Sequence, residues 1–258
     1  MKVTGAAFRS VVGDYERGRP GYPPAALDHL ARELGLRPGS TVLDLGAGTG
    51  KLTRDLARRF RRVIAVEPLD EMRAVIERSL PSIEAARGTA ERIPLEAGTV
   101  DAVFVAQAFH WFDGRRALTE IARVLRPGGG LALIWNSTPW ENREGLWFAA
   151  LDDMLERSRA DLSTMRRHAT GMWRRAFESG RRFEPLGEAV FANPQRVSRG
   201  EFLAALASRS YVAGMDPDDR AELLSDVERL LERPDAPLDG AAVLLPMRTD
   251  LYWTRLRR

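Results

Sequence analysis

Cysteine is absent from the 258 residues. That excludes disulfides, cysteine-ligated metals and a cysteine nucleophile, and it fits a reducing, cytoplasmic setting. Histidine occurs only three times, at His29, His110 and His168, so a zinc site has no obvious ligand set. Lysine is nearly missing: Lys2 and Lys51 are the only two, and arginine supplies the other cations. No stretch approaches the roughly 18 uninterrupted apolar residues of a membrane span, and Met1 to Gly13 lacks the apolar run of a signal peptide. Neither sign of charge dominates, with 39 Lys and Arg against 36 Asp and Glu. The formal net charge is +3 even though the pI is about 9.6. The basic pairs Arg58-Arg59, Arg61-Arg62, Arg166-Arg167, Arg174-Arg175 and Arg181-Arg182 are interspersed with acids. They read as solvated helix faces rather than a nucleic-acid track.

Against these absences one stretch stands out, Thr41-Val42-Leu43-Asp44-Leu45-Gly46-Ala47-Gly48-Thr49-Gly50-Lys51. An apolar strand runs into three alternating glycines, and an amphipathic segment, Leu52 to Phe60, follows. Such a turn lets the backbone approach a ligand closely and adopt positive φ. A dinucleotide fingerprint needs G-x-G-x-x-G. Gly46 and Gly48 fit that pattern, but its last position falls on Lys51, and the third glycine, Gly50, comes one place early. The loop suits a nucleotide-like cofactor. A nicotinamide or flavin site and a plain tight turn between strand and helix are the alternatives.

The first half alternates strand and helix: strands at 41–45, 62–66, 82–86, 101–106 and 131–135, with helices at 25–36, 51–60, 70–79 and 115–125 between them. Pro127 and the glycines at 128–130 are expected to close the last of these helices. The strands are short continuous apolar runs, as expected of a parallel sheet covered on both faces. This rhythm predicts a doubly wound, Rossmann-like α/β domain that binds its ligand at the C-terminal strand ends. After Asn136 the rhythm changes. Residues 141–180 are charged and helical in pattern, Leu186 to Ala192 and Val243 to Tyr252 read as strands, and Ser198 to Ser210 and Asp216 to Arg233 as helices. The whole chain reads as a single domain, 1–258, with 137–182 a helical insertion that forms a lid or side wall. The alternative is that its Trp140, Trp147, Trp173 and other apolar residues are core.

Further blocks surround the glycine loop. Glu67 ends the second strand about 20 residues on, where a carboxylate can accept both hydroxyls of a ribose. Pro68, Leu69 and Met72 follow and can pack on an adenine face. Gly88-Thr89-Ala90-Glu91 follows the third strand. Asp101 to Ala108 covers the fourth strand and its exit at Gln107, and Arg123-Val124-Leu125-Arg126-Pro127-Gly128-Gly129 precedes the fifth.

Taken together these blocks resemble the class I S-adenosylmethionine (SAM)-dependent methyltransferase family. The similarity is greatest to the small-molecule subgroup that includes the trans-aconitate and ubiquinone/menaquinone methyltransferases. Tyr15-Glu16-Arg17-Gly18-Arg19-Pro20-Gly21-Tyr22-Pro23 resembles a leader of that subgroup; Ser208 to Tyr211 and Leu244 to Thr249 resemble its C-terminal part. The resemblance implies a seven-stranded sheet whose last strand is antiparallel, with helices on both faces. It implies SAM as cofactor and S-adenosylhomocysteine as product. Asp44, Gly46, Ala47, Gly48 and Gly50 then lie along the methionyl part, Glu67 holds the ribose, and Thr89, Ala90 and Glu91 lie at the adenine. Tyr15 and Arg19 come near the methionine carboxylate, where a guanidinium makes charge-assisted bonds. Gln107 and Trp111 wall the cofactor pocket, and Trp135, Trp140 and Trp147 face a small-molecule acceptor.

The sulfonium already activates the methyl group, so the enzyme's main task is orientation. A general base is required only where the acceptor must lose a proton. His110, in Gln107-Ala108-Phe109-His110-Trp111-Phe112, is the candidate, and packing is its alternative role. The absent cysteine excludes base methylation through a cysteine adduct. No Asn/Asp-Pro-Pro-aromatic element follows the fourth strand to signal amino methylation of nucleic-acid bases, and no magnesium site is signalled. The expected reaction is methyl transfer to an O, N or C atom of a small organic acceptor. SAM cyclisation and RNA modification are the alternatives.

Overall fold

The computed structural model describes residues 20–138, 145–157, 171–178 and 182–257. Tyr15, Arg19 and Trp140 lie outside them. In chain order the elements are α1 (Pro24–Glu33), β1 (Thr41–Leu45), α2 (Lys51–Ala57), β2 (Arg62–Val66), α3 (Asp70–Ser79), β3 (Glu84–Ala86), β4 (Val100–Ala106), a 3-10 turn (Phe109–Trp111), α4 (Gly114–Val124) and β5 (Leu125–Ser137). There follow α5 (Leu146–Arg157), a second 3-10 turn (Met172–Arg174), α6 (Arg175–Glu178), β6 (Gly187–Ala192), β7 (Gln195–Ser198), α7 (Arg199–Ala207), α8 (Ser210–Ala213), α9 (Pro217–Leu230), β8 (Leu238–Asp239), β9 (Ala242–Leu245) and β10 (Arg248–Arg255). Among the described residues no helix is long and apolar enough to cross a membrane.

The chain divides into two compact units. The first takes segments 21–136, 170–191 and 249–258. It holds a seven-stranded sheet of order β3-β2-β1-β4-β5-β10-β6, the expected doubly wound α/β architecture. The pairs β1/β2, β1/β4, β2/β3 and β4/β5 are parallel. The final strand, β10, runs the other way along β5: Thr249 at its start bonds Asn136 near the end of β5, and Leu256 just past its end bonds Gly129.

Every residue of β1 is buried, because helices cover both faces of a parallel sheet. The period of two sorts the side chains. Leu43, Leu45, Ile64, Val66, Val103 and Val105 face a core closed by Ile121 of α4. Val42, Val63, Ala102 and Phe104 face Leu27 and Leu30 of α1 and Leu52 and Leu56 of α2. Asp44, two residues beyond Val42, is thereby directed toward α2. Removing one of these side chains, for example by Ile64→Ala, costs about 2–5 kcal/mol in transfer and cavity energy.

β5 begins earlier than its apolar run suggests. It starts at Leu125, continues through Pro127 and the glycines, and shifts register between Val100 and Ala102 of its partner. The breakers at 127–130 therefore form an irregular strand start, where a bulge tolerates the missing proline N–H.

The second unit takes segments 1–20, 137–169 and 192–248. Its core joins Trp147, Phe148 and Leu151 of α5 to Phe202 of α7, Val227 of α9 and Val243 of β9. Ser198 and Glu201 close a capping box on α7, and Asp216 caps α9, so these helix starts satisfy their own orphan N–H groups. A small antiparallel sheet, β7-β9-β8, was not legible in the sequence. Its strands are two to four residues long, too short for a period-two pattern to stand out. The single strand expected from Val243 to Tyr252 is two, β9 and β10, which belong to different sheets. Of the expected insertion 137–182, α5 lies in the second unit, while Trp173 and α6 lie in the first.

Candidate functional site

The glycine loop leaves the C-terminal end of β1 and crosses the end of β2, where the Gly46 and Ala47 amides both donate to the Val66 carbonyl, at 2.8 and 3.1 Å. Gly46, Gly48 and Gly50 all have positive φ, at 73°, 60° and 85°, a region that costs other residues strain. The three differ in what a side chain would meet. At Gly46 an added Cβ would lie 3.0 Å from Ala108 Cβ, and at Gly50 3.0 Å from Ile76 Cγ1. At Gly48 the nearest atom among the described residues is Met72 Sδ, 4.0 Å away. Gly46 and Gly50 are thus glycines of packing, whereas at Gly48 no described residue other than Met72 comes within 4 Å of where a side chain would start.

Beneath this backbone lie two buried acids. Glu67 Oε2 accepts from the Gly48 amide at 2.8 Å, and Oε1 accepts from the Leu69 amide at 3.0 Å. Each oxygen keeps a further lone-pair direction. Desolvation outweighs these bonds and raises the Glu67 carboxyl above its usual range. Asp44 is more extreme. Its Oδ2 accepts from the Thr53 hydroxyl at 2.6 Å, but its Oδ1 is buried with no partner. Burial, with a smaller contribution from the Glu67 charge, pushes the Asp44 carboxyl up to about 7 despite the Thr53 bond. The Thr49 hydroxyl, inside the loop, is likewise buried and unpartnered. Buried polar atoms without partners are rare and costly. Two of them at one loop, beside a glycine backbone that no described residue crowds, fit a polar ligand that supplies the missing bonds. Thr49 and Thr53 were not singled out from the sequence. The available signal was a hydroxyl residue inside the glycine loop and another one turn into the helix after it.

The neighbouring blocks differ in how they meet this end of the sheet. Pro68 is exposed, Met72 is buried beside Gly48, and Ala90 is buried in the adjoining core. Thr89 forms a one-residue bridge with Arg92. Glu91 Oε1 accepts the Asp113 amide at 2.9 Å, just ahead of α4, so one of its oxygens is already engaged.

The exit of β4 lies against the same loop. Gln107 is the only non-glycine with positive φ among the described residues, at 55°. Its amide continues the ladder to Ile134 O at 2.9 Å, and its side-chain Nε2 donates to Asn136 O at 3.1 Å. His110 follows in the 3-10 turn, and its Nδ1 accepts from Trp135 Nε1 at 3.3 Å. A neutral imidazole has one ring lone pair, and here Trp135 occupies it. Trp111 is 42% exposed and lies against the His110 ring, with centroids 4.8 Å apart.

The tryptophans expected at an acceptor are placed differently. Trp135 is 1% exposed and packs on Trp173 and Tyr252. It is core, and its polar contribution is the bond to His110. Trp147 is also core, within the second unit, with its indole N–H donating to Leu230 O at 2.8 Å. In both cases the large ring gains more from burial than an exposed wall position offers. Tyr15, Arg19 and Trp140 fall outside the described residues.

Known proteins similar to this chain are methyltransferases. A methyltransferase-domain family model matches residues 43–133, from β1 to β5. An uncharacterized methyltransferase of Mycobacterium tuberculosis is 41% identical over 243 residues, covering 93% of this chain and 91% of that protein. The demethylmenaquinone methyltransferase of Beutenbergia cavernae is 39% identical over 116 residues, 44% of this chain and 48% of its own length. Among solved structures, a putative type II methyltransferase from Anaeromyxobacter dehalogenans aligns with a TM-score of 0.60 at 27% identity, covering 93% of this chain and 97% of that one.

Proposed function

The chain belongs to the class I SAM-dependent methyltransferases, and from that premise we propose that it transfers the SAM methyl group to a small organic acceptor with the glycine loop as cofactor seat. The observation that carries this reading is the Gly48 backbone, left-handed and unobstructed by the described residues, above two buried acids and beside two unpartnered polar atoms. In this reading Glu67 keeps its bonds to Gly48 and Leu69 and uses its remaining lone pairs for the ribose hydroxyls. Asp44 Oδ1 and Thr49 Oγ1 find partners on the methionyl part, and Met72 packs on the nucleoside. SAM, when bound, supplies an activated methyl group. The protein's own residues orient the reactants and exclude water. His110 holds the β4 exit through Trp135, and it can act as a base at Nδ1 only by giving up that bond.

The acceptor class rests on two supports. The demethylmenaquinone enzyme takes, by its name, a small organic acceptor. Arginines such as Arg59, Arg126 and Arg196 are paired with Asp28, Asp101 and Asp239, so they are engaged locally rather than lined up for RNA.

Two measurements test the reading. Calorimetry should show S-adenosylhomocysteine binding and no NAD binding, with the Glu67→Ala variant about tenfold to a hundredfold weaker, as expected for lost hydrogen bonds to a charged group. Unchanged affinity in that variant would remove the ribose assignment. Labelled SAM offered with quinols, carboxylic acids, amines and transfer RNA should label a small molecule. Label on RNA, or SAM consumed with no methylated product, would overturn the acceptor class.

A further inference from the structure

The exit of β4 is held in a conformation it would not choose, and the residue that holds it is Asn136. A left-handed non-glycine residue is strained and persists only where its surroundings impose it. At Gln107 the imposing contacts come from β5. The Gln107 amide bonds Ile134 O, its side-chain Nε2 bonds Asn136 O, and Trp135 Nε1 holds His110 three residues further on. Successive residues of one strand thus fix both ends of the 107–110 turn.

Asn136 is itself fixed from two directions. Its Nδ2 donates to Gly21 O at 3.1 Å, and its Oδ1 accepts from the Thr249 hydroxyl at 2.6 Å. Thr249 is fully buried, and Asn136 nearly so. The side chain therefore joins the segment before α1 to the start of β10, while the Asn136 backbone carbonyl accepts from Gln107. On the far side the turn abuts the glycine loop: a Cβ at Gly46 would lie 3.0 Å from Ala108 Cβ and 3.4 Å from the Phe112 ring. A shift of Gln107 would move Ala108 against the loop that presents Gly48.

The geometry points to Asn136, locked by Thr249, as a positioning residue that sets the cofactor loop through the strained Gln107 turn. This rests on the glycine loop being the SAM seat. The distinguishing consequence is a separation of stability from binding. Glycine accepts φ near 55° without strain, so Gln107→Gly should fold and keep or raise the melting temperature of the ligand-free protein. Having lost the bond to Asn136, it should bind S-adenosylhomocysteine about tenfold or more weakly. Gln107→Asn tolerates the same backbone region but is too short to reach Asn136 O, and should weaken binding similarly. Thr249→Val should also weaken binding, whereas Thr249→Ser, which keeps the hydroxyl, should restore it.

Calorimetric affinity and apo melting temperature are to be measured on all four variants beside the wild type. Wild-type binding with Gln107→Gly and Thr249→Val both within about twofold of it would overturn the positioning role and leave the SAM seat standing. A wild-type protein that binds no S-adenosylhomocysteine would remove the seat itself, and the positioning role with it. Loss of binding in Thr249→Ser equal to that in Thr249→Val would also count against the role, because the hydroxyl bond would then not be what matters.

Discussion

Asp101 and Asp44 stand on neighbouring parallel strands, Asp101 at the start of β4 and Asp44 near the end of β1. Asp101 has both oxygens engaged: Oδ2 accepts the Thr41 amide and Oδ1 accepts from Arg126, each at 2.7 Å. Asp44 has one oxygen bonded and one buried without a partner. The same contrast extends to the surroundings. At the Asp101 end, Arg255 closes onto the Glu33 carbonyl and the chain is pinned by ordinary bonds. At the Asp44 end lie three left-handed glycines, the left-handed Gln107 and the unpartnered Thr49 hydroxyl. One end of the sheet is spent on stability. The other holds two buried polar atoms without partners and one strained backbone residue.

Gly48→Val is the severest challenge to this contrast. A β-branched side chain on left-handed backbone, projecting into the space above the acids, should lower S-adenosylhomocysteine affinity by a hundredfold or more while the circular dichroism spectrum persists. A folded variant with normal affinity would move the ligand seat elsewhere.

Asp44→Asn should separate the two costs. The folded Asp44 carboxyl sits near 7 rather than at its ordinary 3.8, so the folded state holds a proton that the unfolded state has released. Its contribution to stability therefore falls as pH rises from about 4 to about 7. The amide carries no such penalty, so above pH 7 the apo variant should be more stable than wild type, by a gain on the order of a few kcal/mol. Cofactor affinity should fall. Denaturant melts at pH 5 and pH 8 check the sign: a variant whose advantage does not grow with pH contradicts the assignment.

Asp101→Ala probes the other end and should do the opposite. Leaving the Thr41 amide and Arg126 without their acceptor should cost about 1–3 kcal/mol of stability, with ligand affinity unchanged in calorimetry. If affinity dropped with stability, the two ends would not be independent.

The smallest effect is expected at His110. With its ring lone pair held by Trp135, His110→Ala should lower melting temperature and cofactor affinity together, each modestly. Once an acceptor is known, a turnover loss of roughly 10²-fold with unchanged affinity would restore it as a general base.

Much of the fold was legible in the sequence. Strands 41–45 and 62–66 and helix 70–79 lie where their apolar runs placed them, because a strand buried on both faces leaves a local signature. The left-handed G-x-G-x-G loop and the position of Glu67 at the end of β2 were legible for a similar reason: alternating glycines and an acid closing an apolar run are local features of the sequence. The short β7-β9-β8 sheet was hidden because strands of two to four residues carry too little pattern. The burial of Trp135 and Trp147 was not legible, because a tryptophan at a strand end or on a helix reads the same whether it lines a pocket or fills a core.

The sequence by itself determined the alternation of strand and helix and the glycine loop, which follow from periodicity and residue type within a few dozen positions, and its blocks resembled the family to which the chain belongs. Only the tertiary structure decided that Gly48 alone of the three loop glycines is uncrowded by the described residues, that Asp44 is raised and half-satisfied, and that Gln107 is held left-handed by Asn136. Those outcomes depend on how many buried neighbours surround an atom and which of them offer a hydrogen bond. Such neighbours come from positions as far apart as 21, 107, 136 and 249, which only folding brings together.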